Sequence, residues 1–480
     1  MSENVLNIDW LALLLTFTSW GYYFSMFLSA LIWSSFRCFR IERLHLNNIK
    51  NRAYSLMIPA LNEEAVIANT IRMLAMINYP KELLEIIVIN DGSDDNTATK
   101  VQEIISNPHI NLHVELLNVP RNIARQGKGT ALNRGYDYLV SNSRFRDDED
   151  WIIGIIDADG RMDFDLLHHA NIKFSVPMVG AVNSSIRIRN RYDEHIPIDQ
   201  RKPWKYEWLT TLQDIEFVAT ARVINYVRGT VFYNSFMGGN GQFMRREVLD
   251  ELKKNDGYIW DKDALTEDLD IGLRIYLNGW HSKQIFSQFM KQEGISKLGQ
   301  CAKWSCKVPL LRQRGRWAWG NIQVFMKYII NLKVFWGSVP NNSWISRFDC
   351  FMFLSNWFFF FLLFPLTMVY GILYWLEIVH LQFSVDPTIL WINGSVWVMI
   401  PLVGMLLVKE YRQQHIYLIY WLLSYLLYVT MMASLYYQAV WRIITCQKPV
   451  WAKTSREEKK ERVPGRAVII HVQPKQVNLH

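Results

Sequence analysis

Residues 84–95 read LEIIVINDGSDD, and residues 151–160 read WIIGIIDADG. Each is an apolar, β-branched run that stops abruptly at acidic and glycine residues. Residues 54–64 (YSLMIPALNEE) and 178–188 (MVGAVNSSIRI) are built the same way. Continuous apolar runs of this length suit strands covered on both faces, and helical stretches separate the first three, as in a mostly parallel sheet. The expected class is therefore α/β. Ligands of such sheets bind at the carboxyl ends of the strands, and here each of the first three runs ends in polar side chains.

Outside this region the composition changes. Of 480 residues, half are hydrophobic, 14% are aromatic, 20% are charged and 20 are tryptophan. The average conceals one soluble-like and one lipid-like population. Residues 10–36 carry no charge and are long enough to cross a bilayer. The start is acidic (Glu3, Asp9), unlike a cleaved signal peptide. Arg37, Arg40, Arg43, Lys50 and Arg52 follow the apolar run, which places the residues after it in the cytoplasm. Residues 301–345 mix basic and aromatic side chains, as in helices that lie on a membrane surface. Apolar segments follow at about 348–376, 388–408 and 416–441.

The tail 442–480 is basic. Three spans would put it outside, whereas its Lys and Arg argue for inside. We expect a cytoplasmic tail, with the last segment interfacial or re-entrant. The divisions expected are 1–40, 41–300, 301–345, 346–441 and 442–480.

The net charge of +8 fits anionic lipid head groups, and no nucleic-acid-binding signature accompanies it. Cys38, Cys301, Cys306, Cys350 and Cys446 are scattered and odd in number, against a disulfide framework or zinc site.

Five clusters carry chemistry. A departing nucleoside diphosphate needs its charge neutralised, and carboxylates can hold a divalent cation for that purpose. Asp157 and Asp159 stand at the end of an apolar run and could hold Mg²⁺ or Mn²⁺. Asp-x-Asp recurs at Asp163/Asp165, Asp261/Asp263 and Asp268/Asp270, where a solvated turn or helix cap is the ordinary reading. Asp91 is placed to meet a nucleoside, or merely to make an Asx turn. In RQGKGTALNRG (125–135), Lys128 lies between glycines and suits phosphate oxygens; the spacing does not match a nucleoside-triphosphate loop. In ALTEDLDIGLRI (264–275), Glu267 and Asp268 open a helix, where the dipole favours carboxylates and a general base could serve. In QRGRW (313–317), Gln313, Arg316 and Trp317 offer diphosphate and sugar-ring contacts, or an interfacial anchor.

Taken in order, PALNEE with DGSDDNT, GKGTALN, DAD, TED and QRGRW resemble glycosyltransferase family 2, above all its processive membrane branch of cellulose, chitin, hyaluronan and poly-N-acetylglucosamine synthases. The resemblance spans roughly residues 54–320. It implies a GT-A fold between transmembrane helices, in an integral membrane protein with a cytoplasmic catalytic domain. Asp91, Lys128, Asp157, Gln313 and Arg316 would bind a UDP-sugar donor, UDP-glucose or UDP-N-acetylglucosamine. Asp157 and Asp159 would bind the metal, with Asp268 as base beside Glu267. Trp317 and the loop Gly239, Asn240, Gly241, Gln242 would face a glycan acceptor. Trp451, Lys453, Thr454 and Arg456 (in VWAKTSR) look like a gating loop.

GGNGQ departs from the acceptor loops of the glucan, chitin and hyaluronan enzymes, which leaves the sugar open. Three or four spans make a narrow channel, so a homodimer or separate export partner is compatible. The expected activity is inverting, processive transfer that builds an exopolysaccharide. The alternatives are single transfer to a lipid or glycolipid and, from another class, a transporter or receptor.

Overall fold

The computed structural model describes residues 21–26, 28–30, 49–191, 207–296, 309–331, 343–355, 398–413, 417–445 and 447. Its centre is an eight-stranded sheet in the order β3-β2-β1-β4-β7-β6-β8-β5. The strands are β1 (Tyr54–Ala60), β2 (Leu84–Asn90), β3 (His113–Asn118), β4 (Ile152–Ile155), β5 (Arg161–Met162), β6 (Val179–Ile188), β7 (Gln242–Arg245) and β8 (His281–Gln292).

The apolar run of β2 is buried throughout. Ile86 and Val88 point into one layer with Ile67, Ile71, Val101 and Ile104. Ile87 and Ile89 point into the other with Leu132, Tyr136, Leu139 and Ile271. The first layer is made by helices α1 (Ile67–Ala75) and α2 (Thr97–Ile105), the second by α3 (Lys128–Asn142) among others. Two covered faces explain why the strand does not alternate apolar with polar.

The sheet is mixed, which corrects the expectation of a mostly parallel one. β1 runs parallel to β2 and β4, and β2 to β3, but β7 is antiparallel to both β4 and β6. The reason is local. Gln242 begins β7 opposite Ile155, where β4 ends. A strand entering at the end where its neighbour finishes must run the other way.

Beyond the sheet, α4 (Leu166–Phe174) packs on the first layer, and α5 (Trp208–Ala219) continues through a π-helical stretch, Thr220–Asn225, into α6 (Tyr226–Val231). α7 (Arg246–Asp256) and α8 (Glu267–Leu277) complete the second layer. The basic-aromatic stretch forms α9 (Pro309–Phe325). Leu310, Trp319 and Ile322 of α9 pack with Tyr428, Met432 and Leu435 of a 27-residue helix, Leu418–Ile444. The buried face of α9 therefore meets protein, where sequence alone suggested a membrane surface.

Leu418–Ile444 is unbroken, which corrects the re-entrant geometry considered for the segment 416–441. Among the described residues it is the one helix long and apolar enough to cross a membrane. Ile419, Leu423, Leu427, Trp441 and Ile444 on its outer side are exposed. Of the other expected spans, only 21–26, 28–30, 348–355 and 398–408 are described; the remainder, and all of the tail but Arg442–Thr445 and Gln447, lie outside the described residues.

A buried ionic cluster ties the sheet to the C-terminal helices. Asp214 of α5 accepts from Arg187 at 2.9 Å, Arg191 at 2.7 Å, the Ile188 amide at 2.8 Å and the Tyr411 hydroxyl at 2.8 Å. Both arginines also reach Glu410, at 3.3 and 3.0 Å. Burial opposes the charge on Asp214, but Arg187 and Arg191 overcome it and hold its carboxyl below the ordinary range. Breaking a buried pair leaves its partner charge uncompensated, so Asp214→Asn should cost about 3–5 kcal/mol. Thermal unfolding in detergent checks this: a clear fall in midpoint is expected, and an unchanged midpoint would remove Asp214 as the anchor.

Candidate active site

The carboxyl ends of β2 and β4 and the starts of α3, α8 and α9 deliver the polar side chains. Asp91 follows β2, its amide held by the Ala60 carbonyl at 2.9 Å. Its Oδ2 accepts the Arg125 amide at 3.1 Å, and Arg134 stands 3.8 Å from Oδ1. Oδ1 is buried without a hydrogen-bond partner among the described residues. Burial pushes this carboxyl above the ordinary range, against the pull of the Arg125 amide and Arg134. An orphaned buried acceptor of this kind is a place for a ligand N–H or O–H.

Lys128 is the first residue of α3, after Gly127. Its Nζ donates to Asp157 Oδ1 at 2.8 Å and to the Gly239 carbonyl at 2.9 Å, and lies 3.6 Å from Glu267 Oε1. Burial works against its charge, but Asp157 and Glu267 outweigh burial and keep the ammonium protonated. Asp157 follows β4, and its amide donates to Asn240 Oδ1 at 3.1 Å. Asp159 is buried, with its Oδ2 accepting the Glu293 amide at 3.3 Å.

The loop before β7 passes between these groups. A Cβ on Gly239 would come within 3.3 Å of Asp268 Oδ2 and 3.4 Å of Lys128 Nζ. Gly241 has φ +77°, and a Cβ there would meet Ser184 Oγ at 2.0 Å, so the turn requires glycine. Its amide and carbonyl bond to Ile155 and Ser184, each at 2.9 Å.

Glu267 and Asp268 open α8, and the Leu269 amide donates to Asp268 Oδ1 at 2.9 Å. Burial, then the neighbouring Glu267 carboxylate, push Asp268 up to about 7, against the pull of Lys128. α9 lies close by: a Cβ on Gly320 would meet Thr266 Cγ2 at 2.5 Å. On α9 the Trp317 ring stands 6.1 Å from that of Phe217, and the Arg314 guanidinium lies 4.0 Å from the Trp317 centroid.

These elements enclose a cleft of about 240 Å³. Lys128, Asp157, Glu267 and Asp268 line it, and so do the apolar Phe353, Leu354, Met432 and Leu435. Gln313, Arg316, Trp317, Gly239 and Asn240 also line it. Asp91, Asp159, Gly241 and Gln242 do not: Gln242 is buried in the sheet as the first residue of β7. Trp451, Lys453, Thr454 and Arg456 lie outside the described residues. Sequence reasoning passed over Glu216 and Arg314, which also line the cleft. Arg314 stands inside the quoted QRGRW, but nothing in the sequence pairs it with Glu216, 98 positions away.

The other Asp-x-Asp pairs separate clearly. Asp163 pairs with Lys291 at 2.6 Å and Asp261 with Lys327 at 2.9 Å. Asp270 is no solvated cap: it is buried, 2.7 Å from Lys327 and 2.8 Å from the Tyr328 hydroxyl.

The chain is similar in sequence and fold to known proteins. The chain is 27% identical over 305 residues to a beta-monoglucosyldiacylglycerol synthase of Trichormus variabilis, a match covering 62% of this chain and 54% of the relative. It is 29% identical over 288 residues to a poly-beta-1,6-N-acetyl-D-glucosamine synthase of Staphylococcus aureus, covering 57% and 55%. The chain thus spans about half the length of these curated relatives. Among solved structures, a mannosyltransferase of Pyrobaculum calidifontis in complex with GDP-Man and Mn²⁺ superposes with a TM-score of 0.50 at 16% identity, covering 92% of this chain and 99% of that one. That likeness shows the fold, the α/β GT-A architecture that the motif order implied. Residues 51–320, more than half of the chain, match the family described as glycosyltransferase like family 2, and the chain belongs to that family.

Proposed function

We propose that the chain is an inverting glycosyltransferase that moves a sugar from a nucleotide-diphosphate donor to an acceptor reaching the cleft from the side of the apolar helices. One observation carries this reading: in a family 2 fold, Lys128, Asp157, Glu267 and Asp268 gather around one another in the lining of one cleft. The family match sets the transporter or receptor alternative aside.

In this reading Asp91, although it does not line the cleft, is the residue that the motif order assigns to the nucleoside. Lys128 and Arg316 bind the diphosphate, with Gln313 beside them. Among the described residues no group of three or more His, Cys, Asp or Glu side chains is placed to hold a metal alone. Asp157 and Asp159 are the carboxylates that would hold a divalent ion taking its remaining ligands from phosphate and water, although here Asp157 Oδ1 is bonded to Lys128 and only Asp157 lines the cleft. Mg²⁺ or Mn²⁺ bound there would neutralise charge on the leaving diphosphate. Asp268 takes the proton from the acceptor hydroxyl as its oxygen bonds to sugar carbon 1. The bond from carbon 1 to the diphosphate breaks on the opposite face, and Lys128 and Arg316 stabilise the departing oxygen. Displacement of this kind turns an α-linked donor into a β-linked product.

The acceptor read from Trp317 and its loop is a growing glycan, extended repeatedly from UDP-glucose or UDP-N-acetylglucosamine at the cytoplasmic face of a membrane. The second reading, single transfer to a lipid, is favoured by the apolar lining residues Phe353, Leu354, Met432 and Leu435, which suit an apolar tail better than a sugar. The deciding experiment offers each UDP-sugar with Mg²⁺ or Mn²⁺ to protein in nanodiscs, follows UDP release and sizes the product. Long polymer supports the first reading, and a product bearing one sugar on lipid supports the second. Absence of UDP release with any nucleotide-sugar would sink the function.

Asp268→Asn removes the base but keeps the shape, so turnover should fall about 10²–10⁴-fold while donor binding survives. Near-normal turnover would remove the assignment. The pH profile gives an independent check. A base raised to about 7 must lose its proton to work, so activity should fall as pH drops below that value. Glu267 raises Asp268 by like-charge repulsion, so Glu267→Gln should move this acid limb to lower pH. A limb that stays in place would separate it from Asp268.

A further inference from the structure

We infer that Arg314 is a positioning residue for the acceptor side of the cleft, fixing the Trp317 ring through a contact network that spans three helices. This rests on the reading of the chain as a sugar transferase.

Arg314 is almost fully buried and sits three residues before Trp317, on the same face of α9. Its guanidinium lies 4.0 Å from the centre of the Trp317 ring and 5.5 Å from that of Phe217. Phe217 in turn meets Trp317 nearly edge to face, at 71°. Two of the surfaces by which the indole could move are therefore occupied.

The guanidinium is itself held from two other helices. Arg314 Nη2 donates to Glu216 Oε2 of α5 at 2.7 Å, and Nε donates to the Tyr428 hydroxyl at 3.3 Å. The Tyr428 hydroxyl donates to the same Glu216 oxygen at 2.7 Å, which closes the triangle. Arg314 Nη1 is buried without a hydrogen-bond partner among the described residues. Its place is thus set by ring stacking as well as by the ion pair. Glu216, Phe217, Arg314 and Trp317 all line the cleft that holds Asp268.

Ring stacking needs a flat cation, which arginine supplies and lysine does not. A sugar platform is useful only if it stands at a fixed angle to the base, since reacting atoms must meet within a few tenths of an ångström. Through Tyr428, the seat of the Leu418–Ile444 helix enters that geometry, so the apolar helices and the acceptor platform are one mechanical unit.

The test compares wild type, Arg314→Lys and Tyr428→Phe in nanodiscs, with thermal unfolding as a check on folding. UDP release from UDP-glucose and UDP-N-acetylglucosamine is measured with cellotetraose, chitotetraose or 1,2-dioctanoylglycerol as probe acceptor. Arg314→Lys should raise KM for the stimulating acceptor about tenfold, the loss of one stacked and forked contact, while KM for the donor moves far less. Tyr428→Phe removes one hydroxyl and keeps the packing, and should shift acceptor KM in the same direction by about threefold. An unchanged acceptor KM in both variants, or equal shifts in donor and acceptor KM, would overturn the proposal. Wild-type protein that releases a nucleoside diphosphate from no nucleotide-sugar would overturn the transferase reading itself and this inference with it.

Discussion

The site depends on one half-buried cation. Asp157 comes from one stretch of chain and Glu267 and Asp268 from another, and all three line one cleft. Two like charges about 4 Å apart repel by about 4 kcal/mol at an effective dielectric of about 20, so the cluster needs a counter-charge. Lys128 supplies it, within 2.8 Å of Asp157 and 3.6 Å of Glu267. The lysine does so from the first turn of a helix, where the dipole disfavours a cation. A residue placed against its local preference marks a position chosen for chemistry over stability. Gly239 completes the cage, because its carbonyl accepts from Lys128 and its missing side chain lets Asp268 approach.

Around that centre the molecule is held by ionic clusters buried between layers. Arg187 and Arg191 balance Asp214 and Glu410, two charges of each sign with good hydrogen-bond geometry. Arg228 and Asp349 do the same between α6 and the segment 343–355, at 2.9 Å. Such pairs contribute little net stability relative to apolar packing. They do penalise wrong registers, since a helix slipped by one turn would leave charges unpaired. Apolar helices alone could slide on one another with little loss; here the cleft wall formed by α5, α9 and Leu418–Ile444 has a defined seat.

Much of the central fold was legible in the sequence, because covered strands leave unbroken apolar runs that end in turn chemistry. LEIIVIN became a strand buried at every position, and Asp91 and Asp157 follow their strands where the pattern put them. β7 was not legible: QFMR is four residues long, and its direction follows from where the preceding loop enters. The ordinary expectation for Asp270 also misled. Nothing local shows that Lys327, 57 positions on, returns to bury it. The Glu216–Arg314–Tyr428 triangle was hidden for the same reason, since its members lie on three helices. Sequence pattern reports burial along an element; it does not report which charges meet across elements.

The polarity of the cleft ties these features together. Its lining combines the charged Lys128, Asp157, Glu267 and Asp268 with the apolar Phe353, Leu354, Met432 and Leu435. In the proposed reading an anionic donor would sit beside Lys128, since placing its charge among Phe353, Leu354 and Met432 would strip its hydration with no counter-charge. In the same reading an acceptor would enter past the apolar side chains and present its hydroxyl toward Asp268. Both a glycan chain and a lipid head group satisfy that direction of approach. What separates them is the portion left behind on the apolar wall: a tail would bury itself there with gain, whereas a sugar chain would leave hydroxyl groups facing carbon and would need the polar side chains Asn225, Asn321 and Tyr436 to guide it past.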